Sequence, residues 1–174
     1  TATVLYVDFE DLLSTFAPSG VVTEFVNNSS DGSTKTSYEW TITPTENGAT
    51  FVSSNKGISN SYSGVKFALG KQSILTFDYL VSSESNYDYL IIKVNSTEVV
   101  KTKVSGNIEV SANFIYKLEA GDVVEIYYTK DSSGNQNDDT ATLTNLKFSD
   151  GYPTSTITYV YNDGVTENGT GTVD

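Results

Sequence analysis

The sequence predicts an all-β fold, an antiparallel β-sandwich of about nine or ten short strands. Three observations carry that expectation. Apolar residues recur at every second position in one run after another, as in "ILTFDYLV", "YDYLIIKV" and "VVEIYY", the period of half-buried strands. Stretches rich in Gly, Asn, Asp and Ser separate these runs and supply turns. No stretch holds a helical period over any length. At 174 residues the chain has the size of one ordinary domain with a sizeable core.

Taken in order, Val4 to Glu10 alternates weakly and begins as a strand, and "DLLSTF" forms one helical turn that Pro18-Ser19-Gly20 ends. Asn27 to Thr36 is a loop. Tyr38 to Thr43 is a strand with Tyr38, Trp40 and Ile42 on one face. Ala49 to Ser53 and Val65 to Leu69 are strands separated by the polar loop "SNKGISNSYSG". Ile74 to Asn95 reads as a hairpin. Its core face carries Leu75, Phe77, Tyr79, Val81, Leu90, Ile92 and Val94. Thr76, Asp78, Tyr87, Tyr89 and Lys93 lie on the other.

Glu98 to Val104 is a further strand, broken at Ser105-Gly106-Asn107, and Ile108 to Leu118 alternates again. After a turn at Glu119 to Asp122, Val123 to Lys130 points Val124, Ile126 and Tyr128 inward and Glu125, Tyr127 and Thr129 outward. The loop "DSSGNQNDD" leads to a strand from Thr140 to Phe148, whose apolar positions change phase near Thr144 and predict a bulge. The sandwich is thus expected over residues 1–150. Gly151-Tyr152-Pro153 marks a boundary, and residues 151–174 read as a linker or the first strand of a following module, with a strand at Thr156 to Tyr161. An additional strand of the same sandwich is the alternative.

Composition excludes several function classes. Without Cys there is neither a disulfide framework nor a thiolate metal site. Without His the commonest general base and zinc ligand are missing, and a Ser triad cannot form. The basic residues are all Lys and the net charge is -12, which repels phosphate backbones and anionic lipid. No span long enough to cross a membrane and no signal-peptide pattern is present. Nucleophile-elbow, P-loop and dinucleotide fingerprints are absent. The acids are numerous, but none stand out as the pair a glycosidase needs. The chain is therefore expected not to be an enzyme. It begins at Thr1 rather than Met and reads as a monomeric piece of a larger, multimodular protein. Its wealth of Thr, Ser, Asn, Gly and Tyr suggests a secreted or cell-surface setting.

The order of "DFED", "YEWTI", "LTFDYLVSS", "YDYLIIKVN", "YKLEAGDVVEIYYTKD" and "DDTATLTNLKF" resembles jelly-roll domains of the MAM and galactose-binding-like type. These recur in secreted clostridial and ruminococcal proteins that handle polysaccharides. The resemblance spans Val4 to Ser149. MAM domains carry cysteines that this chain lacks, so cell adhesion is not carried over. What the resemblance implies is a jelly roll, an extracellular setting and carbohydrate binding, with starch or another neutral glucan as ligand.

Sugar rings offer apolar C–H faces that pack on aromatic rings, and their hydroxyls need amide, carboxylate or ammonium partners. Tyr87 and Tyr89 are the leading platform, with Trp40, Tyr62 and Tyr127 as further rings and Asp78 and Lys93 as polar neighbours. Core packing and cross-strand pairing are the ordinary uses of such residues. Asp8, Glu10 and Asp11 could meet Asp138, Asp139 or Asp150 to hold a structural Ca²⁺ if the first and last strands adjoin; solvated acidic loops are the plainer reading. The rival to sugar binding is a structural or adhesive spacer. Sandwiches of that kind on Gram-positive surfaces include some cross-linked by Lys–Asn bonds, a part Lys66, Lys93 or Lys147 could play if buried beside an Asn and an acid.

Overall fold

The computed structural model describes residues 9–101, 110–152, 155–160 and 168–173. It opens on a short helix, α1 (Phe9–Ser14), so Phe9 and Glu10 are helical where a strand was expected; Val4 to Asp8 lie outside the described residues. Pro18 cannot continue the helix, and the turn that follows Ser14 places Phe16 in the core.

Two sheets follow. One holds β1 (Val22–Asn27), β5 (Ser61–Leu69), β10 (Val123–Thr129), β7 (Tyr89–Val94) and β8 (Thr97–Lys101) in that spatial order, with β2 (Thr36–Tyr38) beside the start of β5. The other holds β3 (Thr41–Thr45), β4 (Gly48–Val52), β11 (Thr140–Asp150), β6 (Ser73–Ser82) and β9 (Val110–Leu118). Pairings within both sheets are antiparallel except β2 with β5. From β4 to β7 and again from β8 to β11 the chain steps from one sheet to the other with each strand, the connectivity of a jelly roll. Beyond them, β12 (Ser155–Val160) and β13 (Asn168–Val173) pair with each other as a two-stranded sheet.

The core is the set of inward faces that the alternation marks. Leu90, Ile92 and Val94 of β7, Val124, Ile126 and Tyr128 of β10, and Leu75, Phe77 and Val81 of β6 are all buried. Phe16 closes one end edge-on to Phe51 (5.5 Å between centroids) and Phe25 (5.9 Å), and Phe67 meets Phe148 at 5.2 Å, geometries aromatic pairs favour. The expected phase change in β11 is present. Its register slips between Thr144 and Lys147 against β6, Asn145 takes a left-handed φ of 55°, and both Leu143 and Leu146 point inward.

Further expectations are corrected. Ile74 to Asn95 is not a hairpin: β6 pairs with β11 and β9, whereas β7 pairs with β10 and β8. Each strand buries its apolar face in the same core from the opposite side, so periodicity names the buried face but not the neighbour. The run "YEWTIT" is two strands in different sheets, β2 and β3, with Trp40 at the crossing. There the Asn27 side chain accepts from Trp40 N–H (2.7 Å) and donates to Trp40 C=O (2.8 Å). Finally, Val22–Asn27 is a strand that the polar "TE" step conceals, and β5 begins at Ser61, within the predicted loop.

Candidate functional site

Three loops meet at the end of the sandwich where β5 and β7 begin and β10 ends: residues 53–60, 83–88 and 131–139. Polar contacts join them. The Asp131 N–H donates to Asp88 Oδ1 (3.0 Å), Gly57 N–H to Asp139 Oδ2 (2.6 Å) and the Asn137 amide to Ser83 C=O (2.8 Å). Gln136 Nε2 donates to Glu84 Oε1 at 3.3 Å. Tyr87 stands on this end with 57% of its surface exposed, and it is the only aromatic ring among the exposed large apolar side chains of the described residues. Asn86 holds a left-handed φ of 63° beneath it, and Asn135, Gln136 and Asn137 are exposed alongside in the facing loop.

The other predicted platform residues are placed differently. Tyr89 is half-buried; its hydroxyl donates to Asn86 C=O, and Lys101 Nζ lies 4.8 Å from its ring centre. Tyr127 does project from the outer face of its sheet, yet it is only 2% exposed because residues 28–35 fold across it. The N–H groups of Asn28 and Ser29 donate to Gly64 C=O, and Lys35 Nζ donates to Thr129 Oγ1 (2.8 Å) and Lys130 C=O (2.6 Å). The Tyr127 hydroxyl reaches Ser30 C=O and Glu125 Oε1, and burial with the Glu125 contact pushes its pKa up. Tyr62 is buried edge-on to Tyr127 at 5.9 Å, and Lys93 Nζ lies 5.6 Å from the Tyr127 centre. Trp40 is a core residue, 2% exposed. Trp40, Tyr62 and Tyr127 therefore offer no ring face to a ligand.

Asp78 belongs to the other sheet, which separates it from the tyrosines. There it accepts from the Asn113 amide in a shallow groove with Thr76, Ile115, Asn145 and Lys147. That groove has an exposed aliphatic side chain, Ile115, but no exposed aromatic ring.

Of the expected calcium ligands, those whose side chains are described do not converge. Asp8 lies outside the described residues, as does the side chain of Glu10, and Asp11 is exposed on α1. Asp139 precedes β11 and Asp150 ends it, roughly 35 Å apart at strand rise. Among the described residues no three acidic side chains gather into a metal-binding group.

The lysines singled out for cross-linking are also in other settings. Lys66 pairs with Glu24 at 3.0 Å on the surface, Lys93 lies over Tyr127, and Lys147 is exposed. Among the described residues the buried lysine is Lys130, which sequence reasoning did not single out. It is 1% exposed, touches Asp139 Oδ1, and lies 3.6 Å from Asp88 Oδ2. Tyr128 Oη adds a hydrogen bond to Asp139 Oδ1 at 3.3 Å. Burial pushes the carboxyl of Asp88 above its usual range. The signal was there: one more step along the inward face of β10 reaches Lys130, and one step back along β7 reaches Asp88.

No protein-family model matches the chain, and no curated protein matches it. Among solved structures, it is similar to the secreted serine protease VesC from Vibrio cholerae at 20% identity and a TM-score of 0.55, covering 80% of this chain and 26% of the protease. The chain thus spans about a quarter of that protein, and the likeness is one of fold. A family 35 carbohydrate-binding module from Clostridium thermocellum aligns at 13% identity and a TM-score of 0.30, covering 71% of this chain and 90% of the module. A structure described as "CBM4 structure and function" aligns at 14% identity and 0.31, covering 75% and 96%. Among the described residues no helix is long and apolar enough to cross a membrane.

Proposed function

We propose that this domain is a non-catalytic carbohydrate-binding module that attaches a secreted or cell-surface protein to a neutral polysaccharide. The observation that carries the reading is Tyr87, an aromatic ring left exposed on a loop end whose neighbouring exposed side chains include the amides of Asn86, Asn135, Gln136 and Asn137. An exposed phenol ring supports the C–H face of a sugar, and amides of both polarities match its hydroxyls. The polar contacts beneath hold these loops in place, which lowers the ordering cost of binding. Tyr89, half-buried and tied to Asn86 and Lys101, is not a second platform in this reading. Glu84 at the site and the net charge of -12 disfavour anionic sugars, leaving a neutral glucan such as starch as the ligand class.

Affinity gel electrophoresis against soluble neutral and acidic polysaccharides tests the reading. Wild type is expected to be retarded by at least one neutral glucan, and Tyr87→Ala to run freely in the same gel. Free migration of wild type on every glycan contradicts the function. Retardation that survives Tyr87→Ala contradicts the site.

A further inference from the structure

The cluster of Lys130, Asp88 and Asp139 is set apart by its burial and by its charge. All three side chains are shut away from solvent, and one cation faces two carboxyl groups. Such a group leaves a charge uncompensated in a poorly hydrated place unless a carboxyl is protonated, a costly arrangement to bury. Asp88 Oδ1 accepts the Asp131 N–H, whereas its buried Oδ2 has no hydrogen-bond partner and is turned toward Lys130 Nζ at 3.6 Å. Asp139 is held from two sides, by Gly57 N–H on Oδ2 at 2.6 Å and by Tyr128 Oη and Lys130 Nζ on Oδ1.

We propose that Lys130 and Asp139 condense spontaneously into an intramolecular isopeptide bond, with Asp88 carrying the protons between them. The Nζ atom of Lys130 attacks Cγ of Asp139. Negative charge gathers on Oδ2, where the Gly57 N–H already donates, as in an oxyanion hole. The Nζ–Cγ bond forms and the Cγ–Oδ1 bond breaks. Two of the three ammonium protons leave with Oδ1 as water, relayed by Asp88 Oδ2, and the third remains on the amide nitrogen. An ammonium and a carboxylate become a neutral amide and one water, with no net change in charge and no oxidant or activating group.

Two physical features favour the reaction here. Reacting groups fixed in contact have effective concentrations far above any attainable in solution, and burial removes the bulk water that would drive hydrolysis. Burial also raises the pKa of Asp88, which suits a group that must both accept and donate a proton. The amide removes the buried ion pair while its oxygen keeps the Gly57 hydrogen bond. The result is a covalent clasp between the end of β10 and the start of β11, next to the loops of the proposed glycan site but independent of any ligand.

Intact-mass spectrometry of the purified full chain under denaturing conditions is the test. The expected mass is one water below that of the sequence, and fragmentation should place the loss on a link between Lys130 and Asp139. Trypsin should fail to cleave after Lys130 even in the unfolded chain. Asp88→Asn should restore the full sequence mass, with circular dichroism confirming that the variant is folded. The full mass in wild type overturns the proposal, as does a loss of ammonia, which would place the bond on Asn135, whose Oδ1 lies 3.1 Å from Lys130 Nζ. Loss of water mapped to an Asp-Gly succinimide overturns it as well. A complete cross-link in Asp88→Asn removes Asp88 from the reaction.

Discussion

Tyr87 and Trp40 show how little residue type says about role, and how much burial says. Tyr87→Ala removes an exposed ring, so thermal stability should stay within about 0.5 kcal/mol of wild type while glycan retention is lost. Trp40→Ala empties a buried site and should cost about 3–5 kcal/mol, read as an earlier urea midpoint. A small loss there would mean that Trp40 does not pack as described. Asp88 offers a pH-dependent check. Burial holds its folded pKa above the ordinary aspartate value of 3.8, with Lys130, Asp131 and Asp139 as its charged neighbours. The native state therefore holds this proton more tightly than the unfolded chain. The stability linked to it is full below the unfolded pKa and is lost as pH rises through the folded one. Following the Asp88 carboxyl carbon by NMR should give a midpoint above 3.8; one at or below that value would contradict the placement. In the sequence, the inward positions of Asp88, Lys130 and Asp139 were legible by extending the alternation of β7, β10 and β11 by one step. Their meeting was not, because it depends on which strands adjoin.

At the scale of elements, the crossing of residues 28–35 over Tyr127 depends on Gly64. A Cβ there would lie 2.3 Å from Ser29 C=O and 2.9 Å from the Tyr127 ring. Gly64→Ala should force the loop away and cost roughly 1–3 kcal/mol, as overpacking does. Hydrogen exchange should then quicken at the Asn28 and Ser29 amides, both bonded to Gly64 C=O in the native chain; unchanged protection would contradict the account of the loop. This loop explains why one outward tyrosine, Tyr127, is covered. The period of two assigns Tyr127 correctly to the outer face of β10, but a covering loop leaves no periodic trace. The bulge in β11 was legible because Leu143 and Leu146 break the alternation openly. The hairpin expectation fails because β6 and β7 follow one another and both alternate, and only the strands on either side decide that they part.

For the molecule as a whole, the sandwich followed from pattern alone, since nearly every inward position needed to close two sheets is marked by alternation. The ends of the sandwich were less legible, because loops contribute through contacts between distant residues, such as the 2.6 Å bond from Gly57 to Asp139. The charge of -12 is spread over one small domain and should oppose its compaction. Screening is appreciable at a Debye length of about 8 Å, so the melting temperature should rise between low and physiological salt; a fall would show that surface ion pairs outweigh self-repulsion. The central claim is that Tyr87 is the ring on which a neutral sugar rests. NMR of the domain titrated with the glucan that retards it tests that claim most directly. Contacts should appear between sugar C–H protons and the ring protons of Tyr87, with ring-current shifts of those sugar protons to higher field. Contacts confined to Ile115 and the groove around Asp78 would contradict it.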